Sequence, residues 1–223
     1  MQNFATAAPV SAVLDIPAGL IRFIAADRTD TTVEVLPADA SQSRDVKAAE
    51  RITVSYADGT LRIEAAPAKN QLLGNSGSVE VTVQLPAGSH IEAKAALADF
   101  HGTGRLGDVT FEAAQATVEL EEAASTHLTL QSGDITVGRL AGPTTIHTQK
   151  GDIQITDAVR GKVELRTEHG DITVAAAQGV SATLDADTAY GRIHNSLLNT
   201  EGAGAALDIH ATTAYGNITA RGN

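Results

Sequence analysis

A chain of 223 residues with 43% hydrophobic content can bury a core, but 3% aromatics and no Trp require that core to be Ile, Val, Leu and Ala. Sixteen basic against 27 acidic residues leave a net charge of −11, which argues against nucleic acid and against an anionic membrane surface as partners and serves solubility. The absence of Cys removes disulfides and thiolate metal sites.

The N-terminus, Met1-Gln2-Asn3-Phe4, has neither a basic n-region nor an apolar h-region, and no apolar run reaches the length of a membrane span. As it stands the chain reads as soluble and cytoplasmic, with the prior removal of a leader left open. The first ~95 residues alternate apolar and polar positions in short runs, the pattern of half-buried strands. Val10, Ala12, Leu14 and Ile16 share a face, as do Val33 and Val35, Ile52 and Val54, and Leu61 and Ile63. Val79, Val81, Val83 and Leu85 form the longest clean alternation. Turn chemistry at Pro17-Ala18-Gly19, Ala57-Asp58-Gly59 and Pro86-Ala87-Gly88 separates these runs. Ala38 to Glu50 reads as a loop or a single weak helical turn, and Ala68 to Ser78 as a second loop.

From Ile91 onward one phrase recurs. Gly133-Asp134-Ile135-Thr136-Val137 returns as Gly151-Asp152-Ile153-Gln154-Ile155 and Gly170-Asp171-Ile172-Thr173-Val174. An earlier copy begins at Gly107, and two worn copies begin at Gly191 and Gly216. The glycines are 26, 18, 19, 21 and 25 residues apart, and a period near 20 with strand-like content predicts a solenoid. Each period holds two strands, the Gly-Asp-Ile strand and one whose corner residue, usually Thr, lies three residues before the Gly. Alternation assigns Ile135, Ile153, Ile172, Ile193 and Ile218 to one inward ladder, and Leu128, Ile146, Leu165, Ala186 and Ala211 to the opposite wall. No coil buries its inward face alone; stacking at ~4.8 Å buries them together.

The phrase Thr-x-x-Gly-Asp-Ile-x-Val, with an upstream strand-Pro-x-Gly-strand unit, resembles a bacterial β-strand-repeat family of unknown function whose members are often labelled putative adhesins. The resemblance spans nearly the whole chain and is clear over residues 79 to 220. It implies a single-stranded β-helix and no established activity, so it carries over no catalytic residue. Arg192 and Asn217 depart from it, standing where the family has Asp.

Three constellations are candidates for chemistry. Asp108, Asp134, Asp152 and Asp171 line one corner, where they could hold a cation or accept hydrogen bonds from turn N–H groups. The ligand-rich repeat of Ca²⁺ solenoids is missing and no zinc motif occurs, so no metal or cofactor is expected. On the outer face, Glu164, Arg166, Asp185 and Asp187 would form a charged patch flanked by His147 and His210. Asp185 and Asp187 are two apart on a strand, roughly 6.5 to 7 Å at Cα. That overlaps the carboxylate spacing of glycoside hydrolysis, whereas the plainer reading is a solvated face with cross-rung ion pairs. Before the corner glycines, Tyr190 and Tyr215 would stack on adjacent rungs and could hold a sugar ring or a protein partner.

The expected fold is all-β, a single-stranded β-helix over residues 1–223 as one solenoid domain. Residues 1–95 would be irregular coils and 96–223 the Gly-Asp-Ile coils. The leading function is a non-catalytic binding or scaffold protein of unknown protein or glycan ligand, with Tyr190, Tyr215, His147 and His210 as binding residues. The rival is a carbohydrate-active enzyme on acidic polysaccharide, centred on Glu164, Arg166, Asp185 and Asp187. Because the chain stops at Asn223 directly after the last repeat, the terminal coil is expected to cap itself, to continue in a longer chain, or to meet a second copy end to end.

Overall fold

The structure, a computed structural model, describes residues 1–66 and 77–223. The chain is all-β and divides into two compact units, Met1–Ala116 and Thr117–Asn223. The loop expected over Ala68 to Ser78 lies, apart from Gly77 and Ser78, outside the described residues.

In the first unit, β1 (Gln2–Ala5), β3 (Asp30–Pro37) and β6 (Val79–Pro86) form an antiparallel series. The strand β2 (Ser11–Ala26) lies parallel to β6 and to the first part of β7 (His90–Ser132). The hairpin β4 (Ile52–Ala57) and β5 (Thr60–Ala65) turns at Asp58 and Gly59, both at positive φ, as the Asp-Gly pair predicts. Pro17-Ala18-Gly19 does not separate two strands: it lies inside β2, whose register continues on either side of it. Where a loop or weak turn was expected, α1 (Ser43–Glu50) makes two helical turns. It buries Ala48 and Asp45, and an Asp45 carboxylate oxygen accepts the Ser78 N–H at 3.0 Å.

The core of this unit is not purely aliphatic. Three of the four Phe residues are fully buried and stack as Phe23, Phe100 and Phe111, with ring centroids 5.7 and 4.7 Å apart. Few as they are, the aromatics are concentrated where they bury the most area per residue.

The second unit is a solenoid-like stack of parallel strands. One ladder runs β8 (Ile135–Leu140), β10 (Ile153–Ala158), β12 (Ile172–Ala176), β16 (Ile218–Gly222), β14 (Ile193–Ser196). The other runs from the end of β7 through β9 (Thr144–Lys150), β11 (Gly161–His169), β15 (Leu207–Tyr215) and β13 (Ala182–Tyr190). The predicted isoleucine ladder is present in perfect register, but its order is Ile135, Ile153, Ile172, Ile218, Ile193. The last coil of the sequence is therefore not the last coil of the stack. It is slotted beneath the coil that precedes it.

The reason is polarity. The inward column two residues beyond the isoleucines reads Val137, Ile155, Val174, Ala220, Asn195 along the stack. Leu207, Ile209 and Ala211 of β15 are buried, whereas β14 is exposed throughout. Each fully buried aliphatic side chain contributes about 1.5–3 kcal/mol, so the more apolar coil takes the inner place. The more polar one, with Asn195 exposed in that column, becomes the terminal rung.

Candidate functional site

The corner between the two ladders is built from three repeating residues. Its glycines are held where no side chain fits: a Cβ on Gly151 would lie 2.1 Å from the Gly133 carbonyl oxygen, and one on Gly191 would lie 1.8 Å from that of Gly216. Gly151 also sits at φ +142°, which only glycine adopts without strain. The corner threonines tie rungs together, Thr167 Oγ1 donating to the Gly151 carbonyl at 3.1 Å and Thr213 Oγ1 to that of Gly170 at 3.0 Å. Thr188 Oγ1 donates to the Gly216 carbonyl at 2.9 Å, which follows the inserted rung order.

The Asp column follows the same order. Asp134 Oδ1 accepts the Asp152 N–H at 2.8 Å, Asp152 Oδ1 that of Asp171 at 2.7 Å, and Asp171 Oδ1 that of Asn217 at 2.7 Å. Asn217 Oδ1 accepts the Arg192 N–H at 3.1 Å. Each carboxylate thus satisfies the corner N–H of the rung above it, a hydrogen-bond ladder rather than a cation cage. Among the described residues no group of three or more His, Asp or Glu is placed to hold a metal ion. The place of Arg192 in the column follows from the stacking order. Its rung is outermost, so no N–H above it needs an acceptor, and a neutral Asn at 217 supplies the acceptor oxygen below.

On the outer face of β9, β11, β15 and β13 the register sets Thr145, Glu164, His210 and Asp185 in one row. His147, Arg166, Thr212 and Asp187 form the next. The predicted patch of Glu164, Arg166, Asp185 and Asp187 is therefore divided. β15 places His210 and Thr212 between its two halves, which lie two rungs, roughly 9.6 Å, apart. His147 is the neighbour of Arg166, one rung further from the open end. His210 is not a flank but a centre: its Nδ1 lies 3.4 Å from Asp185 Oδ2 and its Nε2 3.1 Å from Asp208 Oδ2.

No departure from the repeat marks Asp208 in the sequence, yet it sits two before His210 on the same face, as alternation requires. Its other oxygen accepts the Thr183 hydroxyl at 2.7 Å. That hydrogen bond, followed by the one from His210, holds the Asp208 carboxyl below its ordinary titration range.

At the corner, Tyr190 and Tyr215 stack as expected, centroids 4.9 Å apart and planes within 4°. His169 extends the stack from the other side, 4.8 Å from Tyr215 at 8°. Lys150 is next in register. Tyr190 is 67% exposed and Tyr215 51%. Rings stacked at rung spacing occupy each other's faces, so the column presents edges, two phenolic hydroxyls and an imidazole, to solvent. Among the described residues no further rung is stacked on the outward face of Tyr190, on the terminal rung.

The family model described as Toastrack DUF4097 matches residues 14–222. The fold is similar to the crystal structure of a putative adhesin from Bacteroides fragilis NCTC 9343, with 16% identity, a TM-score of 0.61, and coverage of 98% of this chain and 95% of that one. It is also similar to a putative adhesin from Parabacteroides distasonis ATCC 8503, with 15% identity, a TM-score of 0.54 and the same coverage. At such identities the likeness is one of fold. No curated protein matches. Among the described residues no helix is long and apolar enough to cross a membrane.

Proposed function

This chain belongs to the Toastrack DUF4097 family, and we propose that it is a non-catalytic binding protein whose second unit, read as a single-stranded β-helix, presents one corner and one outer face to a protein or glycan ligand. The observation that carries this reading is the exposed column of His169, Tyr215 and Tyr190, stacked at 4.8 and 4.9 Å five residues along the same three strands from the row of Glu164, His210 and Asp185. Tyrosine combines a large apolar body with a polar tip and loses little rotamer freedom on binding, which suits it to recognition surfaces. The hydroxyls of Tyr190 and Tyr215 fall one rung apart, so an extended ligand running along the stack meets a hydrogen-bonding group at each ~4.8 Å step. His147, Arg166 and His210 add donors on the adjoining face. The names of the two similar adhesins agree with a binding role and say nothing of the ligand.

The arrangement of carboxylates supports binding over hydrolysis. Glu164 and Asp185 are separated by the His210 ring, and Asp185 and Asp187 are both exposed on β13. Capture of glycans or proteins by the intact chain, compared with Tyr215→Ala and Tyr190→Ala, tests the reading. Each substitution is expected to weaken capture about tenfold, the scale of an interface anchor. Turnover of an acidic polysaccharide that disappears in both Asp185→Ala and Arg166→Ala would replace it with the enzymatic reading.

A further inference from the structure

The terminal rung is an open edge. Among the described residues β13 is paired on one side alone, to β15, and β14 on one side alone, to β16. The Leu198 carbonyl accepts the Ala182 N–H, and Ser181 Oγ accepts those of Thr200 and Glu201, so the loop after β14 covers only the start of β13. The Ser181 carbonyl is taken by Leu207 and the Arg192 carbonyl by Ile218. By strand alternation, the N–H and C=O groups of Leu184, Ala186 and Thr188, and those of Ile193 and Asn195, therefore face away from the stack. Beside them stand Tyr190 and the half-exposed Ile193 and Leu198, 47% and 52% accessible. Such an edge recruits another strand unless charge prevents it.

Here the charges select the occupant. β13 carries Asp185 and Asp187 on its outer face, and Arg192, just before β14, and His194 on it stand at the same spacing. We propose that the terminal rung pairs with the terminal rung of a second copy of this chain, β13 of each lying antiparallel on β14 of the other. A two-fold axis in the plane of the rung, bisecting the corner between Ala189 and Tyr190, exchanges the two arms of that corner. The strand running into the corner in one copy then lies antiparallel to the strand leaving it in the other. A single register sets Asp187 against Arg192 of the second copy, Asp185 against His194 and Ala186 against Ile193. It also opposes the outward backbone groups of Ala186 and Ile193, which is the hydrogen-bonded pairing of an antiparallel ladder. By symmetry every contact is made twice. The competing arrangement, β13 on its own copy about Ala186, opposes Asp185 to Asp187, a like-charge pair that disfavours it. Tyr190 lies beside the axis, where its outward face meets its own counterpart.

Sedimentation equilibrium of the intact chain is expected to show a reversible dimer. Arg192→Glu should weaken dimerisation at least tenfold, and Arg192→Glu combined with Asp187→Arg should restore it. The chain has no Cys, so engineered thiols report contact without background. In a mixture of Asp185→Cys and His194→Cys chains the mixed disulfide should form ahead of either homodimeric one, since opposed non-hydrogen-bonded pairs bring Cβ atoms within bridging range. A wild-type chain that stays monomeric at millimolar concentration overturns the proposal. So does an Arg192→Glu chain that dimerises as the wild type does, or a statistical mixture of disulfides. Ligand capture measured on the Arg192→Glu chain keeps the binding reading separate, because that experiment needs no dimer.

Discussion

The Asp column turns a sequence oddity into a measurable difference between positions that look equivalent in the repeat. Asp152 accepts the N–H of Asp171, so Asp152→Ala leaves a corner donor without its protein acceptor and should cost about 1 kcal/mol, while Asp152→Asn, which keeps the oxygen, should stay within about 0.5 kcal/mol of wild type. Arg192→Ala, at the same repeat position on the terminal rung, should cost nothing measurable through this ladder. Chemical denaturation of the three variants checks the ranking. Gly151→Ala is a harsher change, because strain at φ +142° adds to a Cβ 2.1 Å from a carbonyl oxygen. A loss of about 3 kcal/mol, seen as a lower denaturation midpoint at unchanged m, is expected. The Asp208 carboxyl gives a pH signature. Its folded-state pKa lies below the unfolded value of about 3.9, so its stabilisation is complete above that pH and disappears as pH falls through the lower value. Thermal melts between pH 5 and pH 2 should therefore fall more steeply for wild type than for Asp208→Asn.

The inserted coil reverses an expectation about which strands are most secure. β15, close to the C-terminus, is paired on both sides, whereas β13, earlier in the chain, is an edge. Hydrogen exchange should find the Ile209 and Ala211 amides protected well beyond those of Leu184 and Ala186, the opposite of fraying from a chain end. The coils themselves were legible in the sequence because each Gly-Asp-Ile phrase sets the phase of its strand, and the pairing of Ile153 with Ile135 and Ile172 follows. Stacking order was not legible from the repeat, since a repeat specifies how rungs align and not which rung follows which. The signal lay in the departures from it: Asn195 and Arg192 mark the rung that, among the described residues, is paired on one side alone. In the first unit the Phe23, Phe100 and Phe111 stack was not legible because sparse aromatics give no period, and α1 was not because eight mostly polar residues carry too few apolar positions to show a helical period.

For the whole molecule, a net charge of −11 and an isoelectric point near 4.9 set the conditions under which copies meet. Solubility should pass through a minimum near pH 4.9, where mutual repulsion vanishes, and light scattering across a pH series at low salt would locate it. The faces of the candidate residues were legible in the sequence, and their arrangement less so. Alternation placed Tyr190, Tyr215, Glu164 and Asp185 on the correct faces, but the insertion of β15 put His210 between the two acidic residues and hid its second partner, Asp208. The same insertion governs how the second unit would respond to force. A pull on Asn223 does not lift away an outer coil; it must draw a strand lengthwise from between two neighbours, shearing both ladders at once. Asn223 is thereby clamped by a rung made before it, and unravelling from that direction would need the stack to open first.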